Sequence, residues 1–374
     1  MKILVAGLTG QLGHGLAEAA AASVELVPVA RRGARRSAAE RVARTFASRA
    51  LADATVEGDV AEPVWGLSDA NFERLAPEVD GVVNLAAEVD WTAPDRRLFA
   101  ANALGALNGL ECARRLRARS GRCAFYCLAS SVHVAGGRTG SVPEARLGPD
   151  GRRTRYEQSK WHGEEAVLGA PAACDDGLGL LVARIGGLVG SSTTGATVRR
   201  NSLYLLADRW GDLPGGLMPS FGSGRIDVLP RDVVGALLLR ALRAAARRGG
   251  GRRIVHVCAG ETAPRTDALI ALAQSLDAAG RLAPVRQVPA PRGAMVWAAQ
   301  NAERFLDLSR ERGNAVAGLR YLALDRLFER GRLAELVGGD LPGASVELVA
   351  RLVFGLDEPA RAAGGDPALA RFSG

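Results

Sequence analysis

Apolar residues in the first half of the chain fall into short, nearly continuous runs separated by longer amphipathic stretches. Residues 2–7 (KILVAG), 24–31 (VELVPVAR), 52–60 (ADATVEGDV), 79–89 (VDGVVNLAAEV), 121–131 (GRCAFYCLASS) and 177–190 (GLGLLVARIGGLVG) are predicted strands. Residues 11–23, 34–50, 95–120 and 155–170 are helical in composition and length. Strands that are apolar on both faces and alternate with helices predict a parallel sheet covered on both sides. Its connections are right-handed crossovers, and its ligand binds at the carboxyl ends of the strands. The expected fold is therefore α/β, a doubly wound Rossmann-type sheet. Pro28 has no N–H to donate, so its strand suits an edge or a local irregularity.

The rhythm changes after about residue 190. Residues 191–225 are rich in Gly, Ser, Thr and Pro; 228–248 return to a helix and 252–260 to a strand. Residues 261–374 read as mostly helical, with Gly/Pro breaks at 336–343 and a loose tail. The expected organisation is a nucleotide-binding domain over 1–190, to which 226–260 returns. A smaller, mainly helical substrate-binding subdomain is expected from 191–225 and 261–374.

The 374 residues are 48% apolar and 24% charged, ordinary for a globular enzyme. The first residues lack the shape of a signal peptide, and no apolar stretch is long enough to span a bilayer, so a soluble, cytoplasmic protein is expected. The five cysteines (Cys112, Cys123, Cys127, Cys174, Cys258) include no C-x-x-C pair, and the four histidines have no metal-ligand spacing; no metal site is expected. The net charge is +8. Its basic runs, residues 31–36 and 243–253, are not interleaved with aromatics, which argues against stacking on single-stranded nucleic acid. No nucleic-acid partner is expected, and the charge reads mainly as a solvated, arginine-biased surface.

Chemistry enters at Gly7-Leu8-Thr9-Gly10-Gln11-Leu12-Gly13, a G-x-x-G-x-x-G loop between the first predicted strand and helix. Glycines there let the backbone turn sharply and approach a pyrophosphate, which rests on the helix N-terminus. Gly7, Thr9, Gly10, Gln11, Leu12 and Gly13 are thus candidate dinucleotide contacts. In NAD sites a carboxylate near the end of the second strand takes the ribose hydroxyls; here the chain reads Val29-Ala30-Arg31-Arg32. Guanidinium forks suit a 2′-phosphate. NADP(H) is the expected cofactor, with Arg31 on the phosphate and Arg32 or Arg41 assisting. Asp59 and Val60, ending the third predicted strand, face the adenine. Ala86 and Ala87, and Ile185, Gly186 and Leu188, are further cofactor candidates at strand ends.

Only two of the chain's cations are lysines, Lys2 and Lys160. Lys160 stands four residues after Tyr156, so the two share one face of a helix. A nearby ammonium is expected to lower the phenol's pKa, and its donors can reach ribose hydroxyls. Ser131, at the end of the fifth predicted strand, is placed to hold a substrate carbonyl oxygen while Tyr156 donates a proton; Ser130 is the rival assignment.

A glycine loop with Ser and Tyr-x-x-x-Lys resembles the extended branch of the short-chain dehydrogenase/reductase superfamily. Asn102, within Ala101-Asn102-Ala103, matches the branch's asparagine and is added to Ser131, Tyr156 and Lys160 as a catalytic candidate. Narrower likenesses point to the thioester reductase domains of nonribosomal peptide synthetases and carboxylic acid reductases. They lie in residues 58–68 (GDVAEPVWGLS), 79–91 (VDGVVNLAAEVDW), 156–161 (YEQSKW) and 228–234 (VLPRDVV). Leu8, Asn84, Asp95 and Ile185 depart from that pattern. The resemblance implies reduction of an acyl thioester by NADPH, with Ser131 and Tyr156 on the carbonyl oxygen, to an aldehyde and possibly on to the alcohol. It also implies an acyl group delivered in trans, on coenzyme A or on an acyl or peptidyl carrier protein, to a chain that could be oligomeric. Alternatives are an NADPH-dependent ketone or aldehyde reductase or a nucleotide-sugar enzyme of the same branch. A non-catalytic NADP-sensing regulator is a third.

Overall fold

The computed structural model describes residues 1–20, 24–150, 153–170, 177–208, 216–220, 222–278, 280, 282–289, 291, 293, 321–322 and 324–356. Cys174, the stretch 294–320 and the tail from 357 lie outside the described residues.

Seven parallel strands form the main sheet: β1 (Lys2–Ala6), β2 (Glu25–Ala30), β3 (Val56–Glu57), β4 (Gly81–Asn84), β5 (Phe125–Ser131), β7 (Gly179–Ile185) and β11 (Arg252–Val257). Their order is β11-β7-β5-β4-β1-β2-β3, so the chain winds outward from β1 in both directions. The reversal falls between β1 and β4, where a doubly wound sheet opens its crevice. Three two-stranded parallel pairs lie outside it. They join β6 (Gly140–Val142) to β13 (Arg326–Phe328), β8 (Gly187–Val189) to β10 (Val228–Pro230), and β9 (Leu217–Ser220) to β12 (Arg286–Pro289).

The helices are α1 (Gln11–Ala20), α2 (Ala38–Phe46), α3 (Arg49–Asp53), α4 (Asp69–Leu75), α5 (Asp95–Phe99), α6 (Gly105–Ser120), α7 (Arg155–Gly169), α8 (Ser202–Asp208), α9 (Arg231–Arg248), α10 (Thr266–Leu276), α11 (Gly331–Val337) and α12 (Val346–Phe354). Alternate strand residues face two separate cores, as the period-2 geometry of a strand requires. Val5, Phe125, Cys127 and Ala183 pack under α1, α9 and α11. Leu4, Tyr126, Leu128 and Val182 pack under α4, α6 and α7. A third core, around Val189, Tyr204, Leu269 and Val349, joins α8, α10 and α12.

Three expectations need correction. The stretch 34–50 is not one helix: Ser37 opens α2 with a capping box to Glu40, and Ala47, left-handed at φ 48°, ends it before Ser48 caps α3. The predicted strand 52–60 shrinks to the two residues of β3, because α3 runs to Asp53 and the chain turns at Gly58. β3 pairs only with Val29 and Ala30, so it does not reach Pro28 and requires no ladder donor from it. The predicted strand 177–190 breaks at Gly186 into β7 and β8.

α1 crosses α9 at unusual proximity. A Cβ on Gly15 would lie 2.0 Å from the Arg231 carbonyl oxygen, and one on Gly235 would lie 2.1 Å from Gly15 backbone. Gly15→Ala is therefore expected to push the helices apart and destabilise the protein by about 1–3 kcal/mol. Gly169→Ala, where an added Cβ meets nothing within 4 Å, should be neutral or mildly stabilising; thermal denaturation of the two variants checks the contrast. Among the described residues no helix is long and apolar enough to cross a membrane.

Candidate active site

β5 and α7 deliver the two hydroxyls to one place. Ser131 is the last residue of β5; its Oγ accepts from His133 N at 3.2 Å, and its hydroxyl stands near enough to Tyr156 to draw the phenol's pKa down. Thr154 and Glu157 form a capping box that fixes the first turn of α7, where Tyr156 sits. Ser130, on the opposite face of the strand, is buried with no partner for its Oγ among the described residues. Of the two serines left open by the sequence, Ser131 is the one whose hydroxyl acts on Tyr156.

Lys160 follows one turn later and is 4% exposed; its Nζ donates to the Ala129 carbonyl at 2.7 Å. Burial pulls its pKa down to about 8, against the opposing pull of Glu164. The phenol behaves contrary to expectation. Burial pushes Tyr156 up to about 12, and the nearby Ser131 hydroxyl offsets only part of this. Desolvation therefore outweighs any charge effect of the ammonium, and Tyr156 keeps its proton through the neutral range.

Asn102 lies in a π-helical turn, Ala100–Leu104, between α5 and α6. Its Oδ1 accepts from Glu88 N at 2.9 Å; its Nδ2 donates to the Glu88 carbonyl and to Ser159 Oγ, both at 2.9 Å. Ser159 Oγ in turn donates to the Tyr156 carbonyl at 2.7 Å. With both amide protons committed, Asn102 has none left for a substrate. The sequence placed it among the catalytic groups; its geometry is that of a positioning residue tying the loop after β4 to α7.

The glycine loop has the shape a pyrophosphate needs. Gly7 sits at φ 83°, and a Cβ there would be 2.4 Å from Ala86 N; one on Gly13 would be 2.0 Å from the Leu8 carbonyl oxygen. Gly10 is exposed between them, beside the partly buried Thr9. Leu8 departs from the family pattern because it fills the core under α1, with Leu12 packed against it. The Gln11 amide reaches the other side of the crevice, donating to the Val189 carbonyl at 3.2 Å and accepting from Val198 N at 2.8 Å. That side chain is thereby occupied in holding the chain beyond β8 against the loop.

At the end of β2, Arg31 is largely exposed, 3.8 Å from the Asp59 carboxylate. Arg32 is exposed beside it. Arg41 Nη1 donates to the Arg31 carbonyl at 2.7 Å, so it braces the turn from below. Asp59 also caps Ala61 N at 3.0 Å, and Val60 accepts from Asn108. The motif that follows holds this corner in place: Val64 and Trp65 adopt φ of 45° and 61°, strained for such side chains, and Trp65 is fully buried with its indole N–H on the Gly105 carbonyl. Asn84, another departure, is buried and accepts from Ala86 N at 3.0 Å, which sets the Ala86–Ala87 segment against Gly7. Ile185 is buried at the end of β7, Gly186 lies against Asp227, and Leu188 is half-buried in β8. These close positions fit a dinucleotide running from Arg31 across the loop toward Tyr156.

Sequence reasoning missed the aromatic group around Tyr156. Trp91 stacks on its ring (5.5 Å between centroids, 9° between planes), Tyr321 meets Trp91 edge-on at 5.1 Å, and His133 lies 4.1 Å from Tyr321. It also missed Arg184 and Glu164, a fully buried ion pair behind α7. The basic run 243–253 is no open patch throughout, since Arg248, Arg252 and Arg253 all donate to backbone carbonyls. Among the described residues no group of three or more His, Cys, Asp or Glu is placed to hold a metal.

A family model described as "Male sterility protein" matches residues 5–237. The chain is 29% identical over 199 residues to the L-2-aminoadipate reductase large subunit of Penicillium chrysogenum, covering 49% of this chain and 13% of that protein. It is 31% identical over 229 residues to the isonitrile lipopeptide synthase of Streptomyces coeruleorubidus, covering 58% of this chain and 15% of that one. It thus spans only a small part of these relatives' length. Its fold is that of the terminal R domain from the myxalamid PKS-NRPS pathway, with a TM-score of 0.72 at 22% identity over 94% of this chain and 89% of that one. With more than half of its residues inside the matched model, the chain belongs to the male sterility protein family of the extended short-chain dehydrogenase/reductases.

Proposed function

We propose that the chain is a cytoplasmic NADPH-dependent reductase of acyl thioesters, giving an aldehyde and, where a second reduction follows, the alcohol. The observation that carries this is the Ser131–Tyr156 hydroxyl pair at the carboxyl rim of the sheet, above a glycine loop that Gly7 and Gly13 keep free of side chains. The reductase and lipopeptide synthase relatives favour a thioester over other carbonyls. The acyl group would arrive on coenzyme A or on a carrier protein, and the chain's +8 charge would speed the approach of either anionic carrier.

Residues Gly7 to Gly13 and the N-terminus of α1 would hold the pyrophosphate, Arg31 and Arg32 the 2′-phosphate, and Asp59 the adenine edge. When bound, NADPH supplies the hydride. Ser131 and Tyr156 donate hydrogen bonds to the thioester carbonyl oxygen, where negative charge develops. Tyr156, protonated at neutral pH, gives its proton to that oxygen. Lys160, already aimed at the rim by the Ala129 carbonyl, would take the ribose hydroxyls. The resulting hemithioacetal returns its hydroxyl proton to the Tyr156 oxygen as the C–S bond breaks, so the thiolate leaves and the aldehyde remains.

NADPH oxidation on a panel of acyl thioesters and free ketones, with products identified by mass, tests the proposal. Turnover of ketones alone would replace it with a plain carbonyl reductase. Arg31→Ala is expected to raise KM for NADPH by about tenfold or more, the loss of a charge-assisted hydrogen bond, with little effect on NADH. Equal effects on both would remove Arg31 from the phosphate site.

A further inference from the structure

The described C-terminal segment packs against the main sheet's side through β13 and α11. β13 pairs with β6, Arg326 donates to the Gly136 carbonyl, and Arg330 donates to the Cys258 carbonyl and pairs with Glu261. Just ahead of β13, Tyr321 is 8% exposed against the first turn of α7. Its hydroxyl donates to Glu157 Oε1, across 164 residues of sequence. The other oxygen of that carboxylate, Oε2, accepts from Thr154 N at 2.6 Å and so forms the cap of α7.

The ring of Tyr321 is held as firmly as its hydroxyl. Arg326 lies 5.1 Å from it in a cation–π arrangement, and His133, two residues beyond Ser131, packs on it at 4.1 Å. Its edge meets Trp91, and Trp91 lies flat on Tyr156. Tyr321 therefore touches the environment of Tyr156 by two routes. One runs through Glu157, the next residue along the helix. The other runs through Trp91, which covers the phenol ring. Such aromatic pairs fix orientation as well as adding stability.

We infer that Tyr321 is a positioning residue for Tyr156, a latch by which the C-terminal segment completes the active site. The latch sets where the Tyr156 hydroxyl points relative to Ser131, through the cap of α7 and through the Trp91 ring. It stands apart from the pyrophosphate and adenine end of the nucleotide site, since Arg31, Asp59 and the glycine loop lie on the strands on the other side of the switch point. The inference rests on Tyr156 being the proton donor.

The test uses the full chain and an acyl thioester. kcat, both KM values, the thermal midpoint and NADPH binding by fluorescence are measured for Tyr321→Phe and Tyr321→Ala, each alone and combined with Tyr156→Phe. Misplacing a reacting group by an ångström can cost a hundredfold. Tyr321→Phe, which keeps the ring and loses the hydroxyl, should lower kcat about 3–10-fold, and Tyr321→Ala about 10–100-fold, with KM for NADPH within about twofold. Neither change should further slow the residual rate of Tyr156→Phe. Wild-type kcat in both single variants would overturn the latch, as would the same fold-loss with and without Tyr156. If Tyr321→Ala does not fold, Tyr321→Phe alone decides the matter. A fully active Tyr156→Phe would instead sink the proton-donor reading itself.

Discussion

Tyr156→Phe is expected to lower kcat on an acyl thioester by about 10²–10⁴-fold, the range for losing a positioned general acid. NADPH should bind with nearly unchanged affinity. The substitution keeps the ring that stacks on Trp91 and removes the hydroxyl on the Ser131 side, so the wall of the site stays in place. A buried phenol held at about 12 stays protonated over the whole neutral range, so its proton is in place to be given even though the group is a weaker acid than a free tyrosine. The variant thus loses the proton without any compensating change in charge. Lys160 behaves differently with pH. Its folded pKa, about 8, lies below the ordinary lysine value, so the cost of burying its charge is fully present below pH 8 and is relieved as pH rises toward 10.5. The stability term therefore changes between pH 8 and 10.5, while the charge offered to a ribose is lost as pH passes through about 8, in wild type and in Tyr156→Phe alike. A phenol's own titration would enter only near pH 12. Steady-state kinetics with fluorescence titration of NADPH separates the two, and a variant that loses binding as well as turnover would count against the assignment.

The parts of the site that were legible in the sequence are those fixed by local geometry. A strand, a turn of glycines and a helix follow one another within about twenty residues, so Gly7, Gly10 and Gly13 could be read from spacing alone. Tyr156 and Lys160 share a helix face because they are four residues apart. The end of β5 placed Ser131 at the rim, although which of two adjacent serines faces the phenol depends on strand phase that only the folded sheet fixes. What depends on chains meeting from far apart left no local signal. Tyr321 reaches Glu157 from the far end of the sequence, and Glu164 meets Arg184 across two elements. Asn102 was visible as a motif, yet its role depends on which partners its amide finds. The phenol's pKa went the other way from expectation because burial, a property of the whole fold, outweighs one neighbouring charge. Residues 34–60 were misread for a related reason: a two-residue strand is too short to leave a period, and Ala47 in a left-handed turn has no compositional mark.

Removing one half of the Arg184–Glu164 pair should be the most damaging single change away from the cofactor crevice. Arg184 is 0% exposed, its Nε and Nη2 bonded to the Glu164 carboxylate at 3.0 and 2.7 Å. Behind it, His256 is held neutral, its pKa pulled down to about 3 by burial and by Arg184 itself. His256 Nδ1 lies 2.8 Å from the Glu329 carbonyl, where it can only donate. Its Nε2 is then an acceptor, suitably 3.4 Å from Arg184 Nη1. Glu164→Gln keeps the shape of this cluster but strands the guanidinium charge in the core, at a cost of about 3–5 kcal/mol. The double variant Glu164→Leu/Arg184→Leu should recover much of that loss, because it removes both desolvated charges and restores apolar packing. Thermal and denaturant unfolding of the singles and the double measures the coupling, and a double variant worse than the sum of the singles would refute this account. The pair also bears on catalysis. Glu164 stands one turn beyond Lys160 and is the charge that props its pKa up. In Glu164→Gln the Lys160 pKa should fall further below 8, so any limb of the pH–rate profile that needs a charged Lys160 moves to lower pH. A limb that stays where it is in wild type would show that Lys160's charge is not what the limb reports.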